Sequence, residues 1–169
     1  WEYYPSISSI FQFYNFKGEV YAATALGVFK FDAASNNWIE KSNGFEENDG
    51  YGSRRITKMT SVDTILFCGT YKTGMYTSND KGENWYRIPV STGLTLDLIR
   101  NMINKNDTLI VTDFLNKEIF QSSDTGKTWI NIPFQFAQNH LFNDLVIYND
   151  SLILATDKEV YEYSLSTNE

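Results

Sequence analysis

Ser78-Asn79-Asp80-Lys81-Gly82-Glu83-Asn84-Trp85 and Ser122-Ser123-Asp124-Thr125-Gly126-Lys127-Thr128-Trp129 are two versions of one octet, S-x-D-x-G-x-x-W, with aspartates 44 residues apart. A short apolar or aromatic pair precedes each, Met75-Tyr76 and Ile119-Phe120. A chain that copies itself at a fixed period is built from equivalent structural units. The residue types show what this copy does. Ser and Asp side chains close a turn by accepting backbone N–H bonds. Gly takes positive φ without a Cβ clash. Trp then opens the next strand and buries a large apolar surface under the turn.

The period extends outward. Thr64–Thr70 leads to Gly74-Met75-Tyr76, and Thr108–Asp113 leads to Ile119-Phe120. The same hairpin recurs at Glu19–Thr24 with Gly27–Phe31, and at Ser151–Thr156 with Val160–Tyr163. Val28, Met75, Ile119 and Val160 are thus equivalent, at spacings of 47, 44 and 41. Phe31–Trp38 is a decayed octet. A further strand precedes each hairpin: Ile10–Phe13, Ile56–Met59, Ile99–Met102 and Phe142–Leu145. Polar turns follow at Lys17-Gly18, Val62-Asp63, Asn106-Asp107 and Asn149-Asp150. Four short β-strands per unit, the last beginning at the Trp, predict an all-β repeat protein with little helix.

On these residues the octet resembles the Asp box of the bacterial-neuraminidase-repeat (BNR) families. Those families include sialidases, sortilin-type receptors, xyloglucan-active glycosidases and photosystem II assembly factors. The resemblance implies a β-propeller of four-stranded antiparallel blades, about four of them here, within one region, 1–169. Blades are expected at 6–41, 52–89 and 96–133, with an incomplete one at 141–169. Residues 1–5 are expected to be the last strand of a preceding blade, because Trp1-Glu2-Tyr3-Tyr4-Pro5 matches Trp85-x-x-Ile88-Pro89 and Trp129-x-x-Ile132-Pro133. Two arrangements fit: four repeats of a larger propeller, which is the expectation, or a four-bladed ring closed by Trp1.

A formal charge of −7 without a basic cluster argues against nucleic acid and anionic membranes as partners. No apolar run is long enough to span a bilayer. One cysteine, Cys68, excludes an internal disulfide and sits in an apolar strand as a small buried hydrophobe. The patterns Asn106-Asp107-Thr108 and Asn149-Asp150-Ser151 fit glycosylation sequons but also ordinary turn chemistry.

The octets are read as structural: Ser78, Asp80, Gly82 and Trp85, with Ser122, Asp124, Gly126 and Trp129, serve the turn. In the resembling families that turn is remote from catalysis. Tyr86-Arg87-Ile88-Pro89 looks like the sialidase (F/Y)-R-I-P motif, yet it follows an octet Trp and has Ile130-Asn131-Ile132-Pro133 as its repeat partner. It is simplest as fourth-strand sequence. The only arginines are Arg54, Arg55, Arg87 and Arg100, and no Tyr/Glu pair stands in a sialidase-like context. Asp97, Asp113, Asp144 and Asp157 lie near strand ends, but sequence brings no two together as a glycosidase pair. His140 is the only histidine, which excludes a His-rich zinc site. Glu46-Glu47-Asn48-Asp49-Gly50 is oxygen-rich but lacks a calcium-loop pattern, so no cofactor is expected beyond a weak case for calcium.

The loop face, opposite the octets, remains. Its longest connections carry Phe45, Tyr51, Arg54 and Arg55, then Phe134, Phe136 and His140. Aromatic loops on a rigid scaffold are where binding tends to reside. Blade capping explains these aromatics equally, and local charge balance with Glu46, Glu47 and Asp49 explains Arg54-Arg55. The expected function is a non-catalytic scaffold binding a protein or glycan, from a secreted, periplasmic or cell-surface bacterial protein. The rival is part of a sialidase-like or xyloglucan-active glycoside hydrolase.

Overall fold

The computed structural model describes residues 7, 9–45, 54–94, 98–113, 117–133 and 140–165. Its strands form four antiparallel meanders in chain order. The first sheet holds β1 (Ile10–Phe16), β2 (Glu19–Thr24), β3 (Gly27–Asp32) and β4 (Asn37–Glu40). The second holds β5 (Ile56–Val62), β6 (Ile65–Thr70), β7 (Met75–Ser78) and β8 (Tyr86–Arg87). The third holds β9 (Ile99–Lys105), β10 (Thr108–Asp113), β11 (Ile119–Ser122) and β12 (Ile130–Ile132). The fourth holds β13 (Phe142–Tyr148), β14 (Ser151–Thr156) and β15 (Val160–Ser164). Among the described residues the only helix is a single 3-10 turn, Val90–Thr92.

Each first hairpin closes through left-handed residues that tolerate that conformation: Gly18 follows Lys17, and Asp63, Asn106, Asp107 and Asn149 also have positive φ. Burial then explains why the second strands read as unbroken apolar runs rather than alternating ones. On β6, Leu66 and Cys68 enter a core shared with Tyr21, Ala23, Ile56, Met59 and Trp85, while Phe67 enters the next core with Ile99, Leu109, Val111 and Trp129. On β10, Leu109 and Val111 face back, and Ile110 faces forward to Phe142, Leu152 and Leu154. Both faces of the middle sheets are therefore buried between neighbours.

The bonds between sheets repeat at the period of the sequence. Gln12 clasps the Met59 backbone, accepting its N–H at 2.6 Å and donating to its carbonyl at 3.3 Å, across 47 residues. Tyr14 meets Ser61 at the same separation. Thr57 donates to the Ile99 carbonyl at 2.6 Å and Asn101 to that of Asn143 at 3.4 Å, each across 42 residues. The bonded positions are within one residue of equivalence in successive units, and β1, β5, β9 and β13 contact one another in that order. Rotation about a shared inner axis produces this pattern, and a two-sheet sandwich does not. The chain is an all-β propeller with about four blades.

One expectation needs correcting. The fourth strand starts one residue after Trp85 and Trp129, not at them, and in the first sheet it starts one residue before Trp38. The indole-bearing residues spend their backbone N–H elsewhere: Trp85 donates to Asn43 O and Trp129 to Thr92 O, both at 2.9 Å. Those acceptors lie on the segment leaving the previous blade. Trp38 instead bonds the Asn37 side chain, and its ring is half-buried between Phe13 and Phe31.

A candidate binding cavity at the inner rim

The first strands share a defect that the hairpin registers reveal. Ile10 pairs Thr24 but Gln12 pairs Ala23, so Phe11 is an extra residue on β1. The same shift makes Thr57, Arg100 and Asn143 the extra residues on β5, β9 and β13. A β-bulge re-aims side chains and bends its strand. Here four bulges stand at one height around the axis. Phe11, Thr57, Arg100 and Asn143 all line one cavity of about 520 Å³, with Arg55, Lys58, Tyr71, Leu98, Asn101 and Asp144.

The register also fixes which end of the propeller this is. The start of β1 pairs with the end of β2, which pairs with the start of β3. The cavity therefore opens at the end opposite the turns between third and fourth strands.

Arg55 is its best-held member. The guanidinium carbon lies 4.8 Å from the Phe11 ring centroid and 4.5 Å from that of Tyr71, so two aromatic faces from two blades clamp it. Its Nε is buried without a hydrogen-bond partner. Arg55, Lys58 and Arg100 line it together, and Asp144 is the one carboxylate among its described lining residues. A chain of net charge −7 thus gathers cations at one point.

The other expected loop residues are placed differently. Phe45, expected to bind, is core: it is 4% exposed and packs at 4.9 Å on Tyr76 and 5.4 Å on Trp85. Ser42, three residues earlier, is buried and bonded to the Val28 backbone of its own blade, while Asn43 O accepts from Trp85 N, so the start of that connection docks the first blade on the second. Arg54 lies 3.5 Å from Glu40. His140 is buried, its Nδ1 3.1 Å from the Tyr161 hydroxyl and 3.4 Å from Thr156 Oγ1. Tyr51, Phe134 and Phe136, with Asp97 and the oxygen-rich 46–50 segment, lie outside the described residues. No group of three metal-ligating side chains occurs among the described residues. Cys68 is fully buried, which pushes its thiol well above the usual range.

The two octets form matching turns. Ser78 Oγ accepts from Gly82 N at 2.8 Å and donates to Asp80 at 2.8 Å; Ser122 does the same to Gly126 N at 2.9 Å and to Asp124 at 2.8 Å. Asp80 and Asp124 accept the N–H of Asn84 and Thr128, both at 2.9 Å. Those bonds, led by the side chains of Asn84 and Thr128, lower both carboxyls, Asp124 to about 2. A depressed folded pKa stabilises above the unfolded value and stops doing so as pH falls through the folded one. The turn is expected to weaken between about pH 4 and 2. Asp124→Asn should flatten that part of the stability profile, read as urea midpoints against pH; an unchanged acid slope would contradict this role.

What the sequence listed as equivalent strands contained the missed site. Ile56-Thr57-Lys58-Met59, Ile99-Arg100-Asn101-Met102 and Phe142-Asn143-Asp144-Leu145 each put two polar residues between apolar ones. Period-two alternation breaks there, which is the signature of a bulge.

No family model and no curated protein matches the sequence. Solved structures do match in fold. The extracellular domain of one component system BT4673 from B. thetaiotaomicron superposes with a TM-score of 0.73 at 16% identity, over 95% of this chain and 21% of that one. An ancestral GH74 enzyme gives 0.71 at 17%, over 93% and 23%. PorZ, a bacterial surface component of the type-IX secretion system of Porphyromonas gingivalis, gives 0.65 at 13%, over 88% and 23%. The chain thus spans between a fifth and a quarter of each of these chains.

Proposed function

We propose that this chain belongs to an Asp-box-repeat propeller of a secreted or envelope-associated bacterial protein and acts as a non-catalytic binding platform. Its ligand, a protein or a glycan, engages the inner-rim cavity on the loop face. The observation that carries this reading is the convergence of four bulged residues from four blades on one cavity whose central cation, Arg55, is fixed between two rings. Rigid placement of a guanidinium suits recognition, because little freedom is lost when a ligand arrives. Extracellular and cell-surface propellers among the similar structures are consistent with the location.

Glycoside hydrolysis needs two carboxyls facing one sugar. The cavity's described lining supplies Asp144, and the octet aspartates face the other end, their oxygens engaged in turns. The test pairs two assays on the full chain: turnover of fluorogenic glycosides, and glycan- and peptide-array binding with and without Arg55→Ala. Array binding that Arg55→Ala abolishes, without turnover, is the expected result. Turnover lost in Asp144→Asn would replace the platform reading with a hydrolase.

A further inference from the structure

Beyond that reading, we infer that this chain associates head to tail with a second copy of itself, the outer face of one copy's fourth blade receiving the outer face of the other's first. Equivalent positions carry the argument. Val28, Met75 and Ile119 each enter the core shared with the next blade and are buried. Val160 holds the same position on the fourth blade and is 70% exposed. In the opposite direction, Met59, Met102 and Leu145 stand two residues after their bulges and are buried against the preceding blade. Phe13 holds that position on the first blade and is 59% exposed.

Whole faces are open, not single residues. Val146 and Tyr148 are exposed on the same side of the fourth sheet as Val160. On the first sheet, the Trp38 ring lies 5.7 Å from that of Phe13 and 5.4 Å from that of Phe31, on the side where Trp85 and Trp129 meet a preceding blade. Clustered exposed apolar side chains mark an interface, and Phe, Tyr and Trp are residues that interfaces concentrate. What covers these faces follows from the joints inside the chain. Three times, the forward face of one blade packs on the backward face of the next. The same two kinds of face are left open on the fourth and first blades, so a second copy continues an interface that the chain already builds. Such a contact is heterologous: forward meets backward, and neither face meets itself.

Sedimentation velocity of the full chain from about 1 to 100 µM tests this. Monomer at the low end and dimer or larger at the high end is the expected result. Phe13→Lys and Val160→Lys, both at exposed side chains, should each keep the folded chain monomeric throughout. Val146→Lys alters the same face as Val160→Lys and keeps the test valid should that variant fail to fold. Val90→Lys, 61% exposed on the turn between the second and third sheets, should associate like the parent. Mixing Phe13→Lys with Val160→Lys should restore a one-to-one dimer, because each retains the face the other has lost. A parent chain that stays monomeric at the highest concentration, loss of association in only one of the two variants, or a mixture that stays monomeric would each overturn the inference. Ligand binding at the rim cavity is read separately with Arg55→Ala, so failure of either leaves the other standing.

Discussion

Trp85→Ala is expected to destabilise the chain by about 3–5 kcal/mol, read from urea midpoints at constant slope. Its indole is 1% exposed, stacks on Phe45 with an interplanar angle of 23°, and donates from Nε1 to the Lys41 carbonyl at 2.8 Å. Truncation empties the core between the first two blades and removes the donor to the Lys41 carbonyl. Trp129→Ala should cost a similar amount, since that ring is 6% exposed and bonds Gly126 O at 3.1 Å. Trp38→Ala should cost about 1 kcal/mol, as expected of a half-buried ring on one sheet face. Equal losses at Trp38 and Trp85 would contradict the assignment of Trp85 to an inter-blade core.

Gly44→Ala should cost about 3 kcal/mol, from two separate causes. The residue has φ +92, a region that strains any Cβ-bearing side chain by about 1–2 kcal/mol. An added Cβ would also stand 2.1 Å from the Trp85 carbonyl oxygen, a backbone atom that moves only if the blade moves, and such overpacking costs about 1–3 kcal/mol. Gly18→Ala separates the two, because Gly18 has φ +85 with nothing within 4 Å of the added atom. It should show the strain alone. Matching losses at Gly18 and Gly44 would mean that the segment leaving the first blade does not press on Trp85.

The fold was legible because its information is local and repeated. The octet chemistry, the turn residues and the apolar runs each act within a few positions, and their recurrence at near-constant spacing implies equivalent surroundings. Register was also legible in part: the polar pair inside three of the four first strands, such as Thr57-Lys58, marks the bulge. The cavity was not, because it is assembled from single residues of four blades, and nothing in Phe11 or Asn143 alone says that they converge. Loop aromatics misled for a related reason. Phe45 and His140 look like surface residues in polar connections, yet the blades close over both, since each connection must cross to the next blade and pack on it. Trp38 shows the opposite effect. It holds the same position as Trp85, but the turn before it is held by Asp32 through Ser35 rather than by a Ser–Asp–Gly set, and its ring stays half-exposed.

A nitroxide at position 100 tests the common rim most directly. Cys68 is buried and its thiol held in the protonated form, so Arg100→Cys offers the reactive site for the label. The four-bulge cavity predicts strong paramagnetic broadening of the amide signals of Phe11, Thr57 and Asn143, on three other blades, with Asp80 and Asp124 at the far end staying sharp. Sharp signals at Phe11 and Asn143, or broadening at the octet turns instead, would contradict it.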